Sequence, residues 1–471
     1  MVAFFVDRHD NMPMRLAVLF LLSLPLQLFA ADPDATDALA VTQRYIAAGA
    51  PELALARIER LQPVSPAAPE WGSWEQLHCT LLAQLGRNTT LIERVAQLPA
   101  GAPPPVLQVC WLAGARAAVD LGEGAQARKF LAQMLWQQEL SDEEWHVVRR
   151  LVIDSYVADN KPDDAYLLML RYQQDYRPIE RSTAEHFAGA LLAAGMTKEA
   201  VDWLPQLDDK SPVKTWLRMN AGLLSPDAAI GQARAALAKK PDALWWEIIR
   251  QAALVSNDRV MQTEVLENLL ELAVDNNRVI TLTAELRHEY KTVAQDVANR
   301  AQLLIGDDAA WMDAAGRALP PTAGRALYAY LAEFGKTAAV RDIAQARLVL
   351  SLIDDGLMQT ATRLLNGVHW SNEQLDAQAR LLLDDPALAP RRRAALCTLG
   401  VLAESARDYR RAADYYLEAA LTDEAKIPDA LAIAARWRSA NALDSAGFHD
   451  DAQAQFEWLR RHVKPALSRA D

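Results

Sequence analysis

Several groups of residues in this chain have types and spacings that could do chemistry. Gly122-x-Gly124-x-x-Ala127 has the glycine spacing with which a strand–turn–helix unit cradles a dinucleotide pyrophosphate. That use needs a strand before the first glycine, and Val106–Leu121 is Ala-rich and helical in pattern, so these glycines read as turn residues. Gly335-Lys336-Thr337 matches the end of a phosphate-binding loop, but the loop's first glycine would fall at 330, where Tyr330 stands inside a helical run. The eight His are scattered singly, none with a second His or Cys three or four residues on, and His78 points to a different helix face from Cys79. Paired aspartates recur at Asp163-Asp164, Asp208-Asp209, Asp307-Asp308, Asp354-Asp355, Asp384-Asp385 and Asp450-Asp451. They gather at turns and helix beginnings, where a carboxylate caps free N–H groups and meets the positive end of the dipole. No catalytic residue, cofactor or metal is expected from these patterns.

The three cysteines, Cys79, Cys110 and Cys397, are an odd number. Cys79 lies seven residues before the turn at Gly86 and Cys110 twelve before the turn at Gly122. In neighbouring helices that offset is about 7.5 Å along the axis, added to an interaxial separation of about 8–10 Å. The sum exceeds the Cα separation of about 7 Å that a disulfide can close. All three are therefore expected to be small buried apolar residues.

The elements that would position such residues are legible. A turn residue, an Ala five positions later and a large apolar residue four further on recur as Gly49/Ala54/Ile58, Gly122/Ala127/Leu131, Gly195/Ala200/Leu204, Gly356/Ala361/Leu365 and Gly447/Ala452/Phe456. Asn160/Ala165/Met169 and Arg407/Ala412/Tyr416 are variants without the glycine. Anchors at Ala54, Leu91, Ala127, Ala165 and Ala200 return at intervals of about 36 residues, inside the range of helical solenoids. Between about Ser211 and Ala346 breakers such as Ser225-Pro226, Ser256-Asn257 and Pro320-Pro321 still mark helices, but the anchor phrase fades.

From Arg393 the pattern becomes specific. Leu396-x-x-Leu399-Gly400-x-x-Ala403 followed by Ala412-x-x-x-Tyr416-x-x-Ala419 resembles the tetratricopeptide repeat, in which small residues sit where the helices of a pair touch and an aromatic fills the gap to the next pair. The resemblance covers about two thirds of the mature chain. It implies an all-α, right-handed superhelical solenoid of antiparallel helix pairs, whose first helices line a concave surface that binds peptides or protein segments. Laying the repeat frame on three units by their turns places Arg116, Arg150, Asp154, Trp437 and Asn441 on inward faces of first helices, with Trp437 and Asn441 one turn apart. A further likeness is local. Gly356-Leu357-Met358-Gln359 and Glu404-Ser405 resemble two motifs of soluble lytic transglycosylases, which pair a helical solenoid with a catalytic domain. Here the motifs stand in reversed order and inside repeat helices, so Glu404 is not read as catalytic.

Composition agrees. Half of the residues are hydrophobic and stretches of alternating Val, Ile and Thr are nearly absent, as in an all-helical chain. The net charge of −12 opposes nonspecific attraction to nucleic acid or anionic lipid. At the N-terminus, Leu16–Leu28 is uncharged, follows Arg15 and precedes Phe29-Ala30-Ala31-Asp32. A bilayer span takes about 20 apolar residues, so this shorter run reads as a cleaved secretory signal, with an uncleaved inner-membrane anchor as the alternative. Asp7 and Asp10 are unusual before such a run and allow translation to begin at Met12 or Met14 rather than Met1.

The expected organisation is a signal peptide at 1–30, helical repeats over 31–210, an irregular helical segment continuing the solenoid over 211–346, and helical repeats over 347–471. The expected function is that of a non-catalytic periplasmic scaffold. It binds a protein or peptide in envelope biogenesis, secretion or polysaccharide export, without nucleic acid and without stable membrane insertion. The alternative is a helical arm or accessory subunit of a cell-wall enzyme such as a lytic transglycosylase. N-terminal sequencing of the protein from the periplasmic fraction is expected to begin at or near Ala31; intact Leu16–Leu28 in membrane-bound material would refute cleavage.

Overall fold

The computed structural model describes residues 33–47, 49–99, 101–137, 140–422 and 429–467. The expected signal peptide, 1–30, lies outside the described residues. Among the described residues there are 24 α-helices, two short 3-10 turns and no strand. None of these helices is long and apolar enough to cross a membrane. The chain divides into two compact units, Met1–Leu223 and Leu224–Asp471.

The first unit is a stack of helix pairs. Its helices are α1 (Pro33–Ala47) with α2 (Pro51–Leu61), α3 (Trp71–Gln84) with α4 (Asn88–Ala96), α5 (Pro104–Asp120) with α6 (Gly124–Gln137), α7 (Asp142–Ala158) with α8 (Pro162–Asp175), α9 (Arg181–Ala193) with the short α10 (Thr197–Val201), and then α11 (Pro212–Asn220). Each pair turns in the same way. The second residue after the first helix is left-handed: Gly49, Gly86, Gly122 and Gly195 have φ between 66° and 80°, and Asn160, the variant without glycine, has φ 55°. Its N–H bonds back to a carbonyl three residues earlier and the next N–H to one five residues before it, as at Gly122 to Val119 and Glu123 to Ala118. This closure satisfies carbonyls that the helix end leaves orphaned and reverses the chain within three residues. Proline then opens α2, α8 and α11, where its missing N–H is no loss.

The reversal lays the second helix along the first, and the anchor sits in the contact. Ala54, Leu91, Ala127, Ala165 and Ala200 are all wholly excluded from solvent. First helices also meet each other: a Cβ on Gly72 near the start of α3 would lie 3.0 Å from Val106 near the start of α5.

The second unit holds α12 (Pro226–Leu237), α13 (Ala243–Val255), α14 (Arg259–Leu272), the long α15 (Asn276–Arg300), α16 (Asp308–Arg317), α17 (Pro321–Phe334), α18 (Ala338–Asp354), α19 (Met358–Leu364), α20 (Asn372–Leu383), α21 (Arg392–Ser405), α22 (Tyr409–Leu421), α23 (Ala430–Ser445) and α24 (His449–Leu467). The later pairs, α18/α19, α21/α22 and α23/α24, repeat the turn at Gly356, Arg407 and Gly447, with Ala361 and Ala412 wholly buried and Ala452 nearly so. Tyr416 is wholly buried. Its ring lies over Gly400 in its own pair, where a Cβ would come within 2.6 Å of two ring carbons.

The earlier helices of this unit do more than stack on their chain neighbours. α19 packs on α14 as well as on α18, and α15 packs on α17. The junction is polar and sealed. Glu267 of α14 accepts from Arg325 of α17 at 2.8 and 2.5 Å and from the Tyr290 hydroxyl of α15 at 2.7 Å. Thr360 of α19 donates its hydroxyl to the Glu267 carbonyl and its N–H to Glu271, and Arg363 donates to the Leu270 and Ala273 carbonyls at the end of α14. Burial pushes the Glu267 carboxyl up from its ordinary value, while the guanidinium and the tyrosine hydroxyl pull it down.

Left-handed backbone makes glycine substitutions position-dependent. Gly195 has φ 77° with open space around it, so Gly195→Ala is expected to cost about 1 kcal/mol through backbone strain alone. Gly231 sits exposed within α12, and Gly231→Ala is expected to stabilise by about 0.5–1 kcal/mol. Opposite shifts of the denaturation midpoint for the two variants check the turn assignment.

Candidate functional site

The five residues expected on inward faces fall into both units. In the first, Arg116 is exposed on α5 and Arg150 is half-buried on α7. Asp154, one turn beyond Arg150, is buried and accepts from His186 Nε2 of α9 at 2.6 Å, so it ties two successive first helices together. In the second unit, Trp437 of α23 is 46% exposed. Asn441 donates its side-chain N–H to the Trp437 carbonyl at 2.8 Å, which fixes the amide on the same face of the helix as the indole. Most of the thirteen tryptophans are packed inside; Trp136, Trp145 and Trp437 are the exposed ones.

A denser polar cluster, not anticipated from sequence, lies between α2, α3, α4 and the segment after α2. Glu75 of α3 is almost fully buried and both of its oxygens are used. Oε1 accepts from Arg94 Nε and Oε2 from Arg94 Nη2, each at 2.6 Å, while Gln62 Nε2 donates to Oε2 at 2.5 Å. Gln62 Oε1 in turn accepts from Arg94 Nη2 and from His78 Nδ1, both at 2.9 Å. That hydrogen bond makes Nδ1 the protonated nitrogen of His78 and leaves Nε2 as an acceptor. A cleft of about 290 Å³ opens over the cluster, lined by Glu59, Gln62, Val64, Trp71, His78 and Arg94. Burial, reinforced by the Arg94 charge, lowers the His78 pKa to about 4, so the imidazole is neutral at physiological pH. The available sequence signal was Glu75 itself: the one acid in its helix, a turn before Cys79, must be paired when buried.

The cysteines are free, as expected, but Cys79 and Cys110 lie closer together than the count from the turns implies. The sulfurs of Cys79 and Cys110 and a Glu75 oxygen all lie within 4.8 Å of one another, and the Cys79 thiol donates to Glu75 Oε1 at 3.8 Å. Counting from the turns misplaces them because α3 and α5 differ in length and their turns are not level. From the contact between Gly72 and Val106, Cys79 is seven residues along one helix and Cys110 four along the other, which shortens the offset. All three cysteines are buried, as expected. Glu75, Cys79 and Cys110 have the donor types of a metal site, yet both Glu75 oxygens are engaged by a guanidinium whose positive charge opposes a cation there.

In the second unit, Glu404 accepts from the Tyr416 hydroxyl at 2.8 Å and from Arg438 Nη1 through both oxygens, and Arg438 Nη2 donates to Gln359 Oε1 at 2.9 Å. The two transglycosylase-like motifs thus meet through an arginine. Both Glu404 oxygens are thus held by one guanidinium nitrogen, with the tyrosine hydroxyl on one of them.

No protein-family model and no curated protein matches the chain. Among solved structures, the chain is similar to the tetratricopeptide-repeat domain of P58(IPK), with 14% identity over 88% of this chain and 99% of that one, TM-score 0.26. It is also similar to the pentatricopeptide repeat protein PPR10 from maize, solved with an 18-nt psaJ RNA element, with 15% identity over 95% and 78%, TM-score 0.34. A third is Naa15/Naa10 bound to HypK, with 11% identity over 90% and 68%, TM-score 0.28. At these scores the likenesses carry no inference about a partner; the fold conclusion rests on the helices and turns described above.

The His78 environment sets a pH dependence. The unfolded histidine takes up a proton near 6.5 and the folded one near 4, so the unfolded state binds more protons between those values. Stability from this residue is complete above about 6.5 and is lost as the pH falls to about 4. Urea midpoints should show the advantage of the wild type over His78→Gln shrinking through that window, and a constant difference would place His78 outside the buried cluster.

Proposed function

We propose that the protein is a non-catalytic interaction scaffold that holds a protein or peptide segment. The observation that carries this reading is the face of α23 bearing Trp437 and Asn441. A half-exposed indole beside an amide whose N–H is fixed and whose oxygen has no partner among the described residues presents an apolar anchor and a backbone-matching acceptor one turn apart. Exposed tryptophans of this kind are enriched among residues that anchor partners. Arg116, Arg150 and the Asp154–His186 pair would form a second, polar recognition surface on the first unit.

Glu404, the carboxylate in a motif that resembles a catalytic one, is tied to Arg438, which supports a binding role rather than an enzymatic one. A net charge of −12 supports a protein or peptide over RNA. The sequence pattern over 1–30, read as a leader, supports action in the periplasm, in envelope biogenesis, secretion or polysaccharide export.

Cross-linked pull-down from envelope extract tests the reading. Trp437→Ala and Asn441→Ala are each expected to weaken capture of the wild-type partner while the circular dichroism spectrum and melting temperature stay near those of the wild type. Unchanged capture by both variants moves the contact surface elsewhere, and a tight complex with single-stranded RNA at physiological salt would replace the protein partner with a nucleic acid.

A further inference from the structure

We propose that Cys79 and Cys110 close a disulfide between α3 and α5 when the chain folds in the presence of a disulfide oxidant. This goes beyond the scaffold reading and relies on it only for the place where such an oxidant is met. The two thiols are free and close together: the residues lie on neighbouring first helices, neither has exposed surface, and their sulfurs lie within 4.8 Å of each other. Gly72 allows the close approach of these helices, since a Cβ there would meet the Val106 side chain at 3.0 Å. Cys397 belongs to the other unit and is buried in α21, which leaves the odd cysteine of the three as the free thiol.

A covalent bond explains the pair better than a metal does. A metal needs thiolates and a free carboxylate oxygen, whereas Glu75 is committed to Arg94 and Gln62 and the cysteines are shielded from water. Both thiols are closed off from solvent in the folded chain, so exchange takes place before α5 settles on α3. A solvent-exposed thiolate of one cysteine attacks the oxidant RS–SR, forming a mixed disulfide and expelling RS⁻. The second cysteine, as thiolate, attacks the protein sulfur of that mixed disulfide and expels the other RS⁻. The two cysteines together give up two protons and two electrons; the oxidant leaves as two RSH. The bond encloses α4 and so restrains the unfolded chain between the two helices.

The test is refolding of the purified full chain from denaturant in a glutathione redox buffer, followed by alkylation, intact mass and peptide mapping. The expected product carries one alkylated cysteine, Cys397, a linked peptide pair containing Cys79 and Cys110, and a mass lower by two hydrogens than the reduced chain. Dithiothreitol should lower its melting temperature by several degrees and leave Cys110→Ala unaffected. If Cys110→Ala does not fold, Cys397→Ala carries the same test, with no alkylated cysteine expected. Three alkylated cysteines, a link involving Cys397, or zinc retained stoichiometrically on Cys79 and Cys110 would each overturn the proposal. Protein from its own cells separates the two ideas: a bond that forms on refolding but is missing there would count against export and leave the pairing intact.

Discussion

The close approach of two helices at a small residue, enforced by a left-handed turn, is the constraint on which the paired helices depend. The turn fixes where the second helix starts, and the anchor alanine fixes how near it lies. Where glycine is missing the constraint is still met: Asn160 and Arg407 adopt φ of 55° and 62° although neither is glycine. Left-handed backbone costs about 1–2 kcal/mol for a residue with a Cβ, so the packing it permits outweighs that strain. Ala165 and Ala412, the anchors that follow, are as completely buried as those after glycine turns.

The second unit adds a constraint of another kind. Glu267 and Arg325 form a buried ion pair whose members come from helices with α15 and α16 between them in the chain, and Thr360 and Arg363 bind the same helix as Glu267 from farther still. Removing either member of a buried pair leaves an uncompensated charge, at a cost of about 3–5 kcal/mol. Hydrophobic contact tolerates sliding; a two-pronged carboxylate–guanidinium pair with a tyrosine hydroxyl on the same oxygen sets α14, α15 and α17 in one register.

The repeated turns were legible in the sequence because each is set by a few local residues. Gly122, Ala127 and Leu131 are readable at fixed spacing, and the structure assigns them the turn and core roles that the spacing implies. The stretch after Ser211 was less legible for a physical reason. Asn257 keeps the left-handed turn, but the anchor position holds Gln262, whose amide donates to the Ala253 carbonyl in place of alanine packing. Contacts such as Glu267 with Arg325 depend on residues far apart in the chain and leave no periodic trace. The polar cluster at Glu75 leaves no trace for the same reason: Gln62 lies beyond the end of α2, and only the folded chain brings it to Glu75 and His78. The nearness of the Cys79 and Cys110 sulfurs depends on where side chains of two helices point toward each other, which a count from the turns does not contain. Trp437 and Asn441 share a face by helical spacing alone; which partner they meet is not encoded in that spacing.

The return of α19 to α14 also bears on how this chain could have grown. A stack of equivalent pairs lengthens by duplicating one pair, since each pair touches only its neighbours and a new copy can slip between them. Between α14 and α19 that freedom is lost. An extra pair inserted there would have to carry Arg325 away from Glu267, or Thr360 away from the end of α14, and strand a charge or a carbonyl in the interior. Gene duplication can therefore add length on either side of this closed stretch, whereas the stretch itself can be inherited only as a block of fixed size.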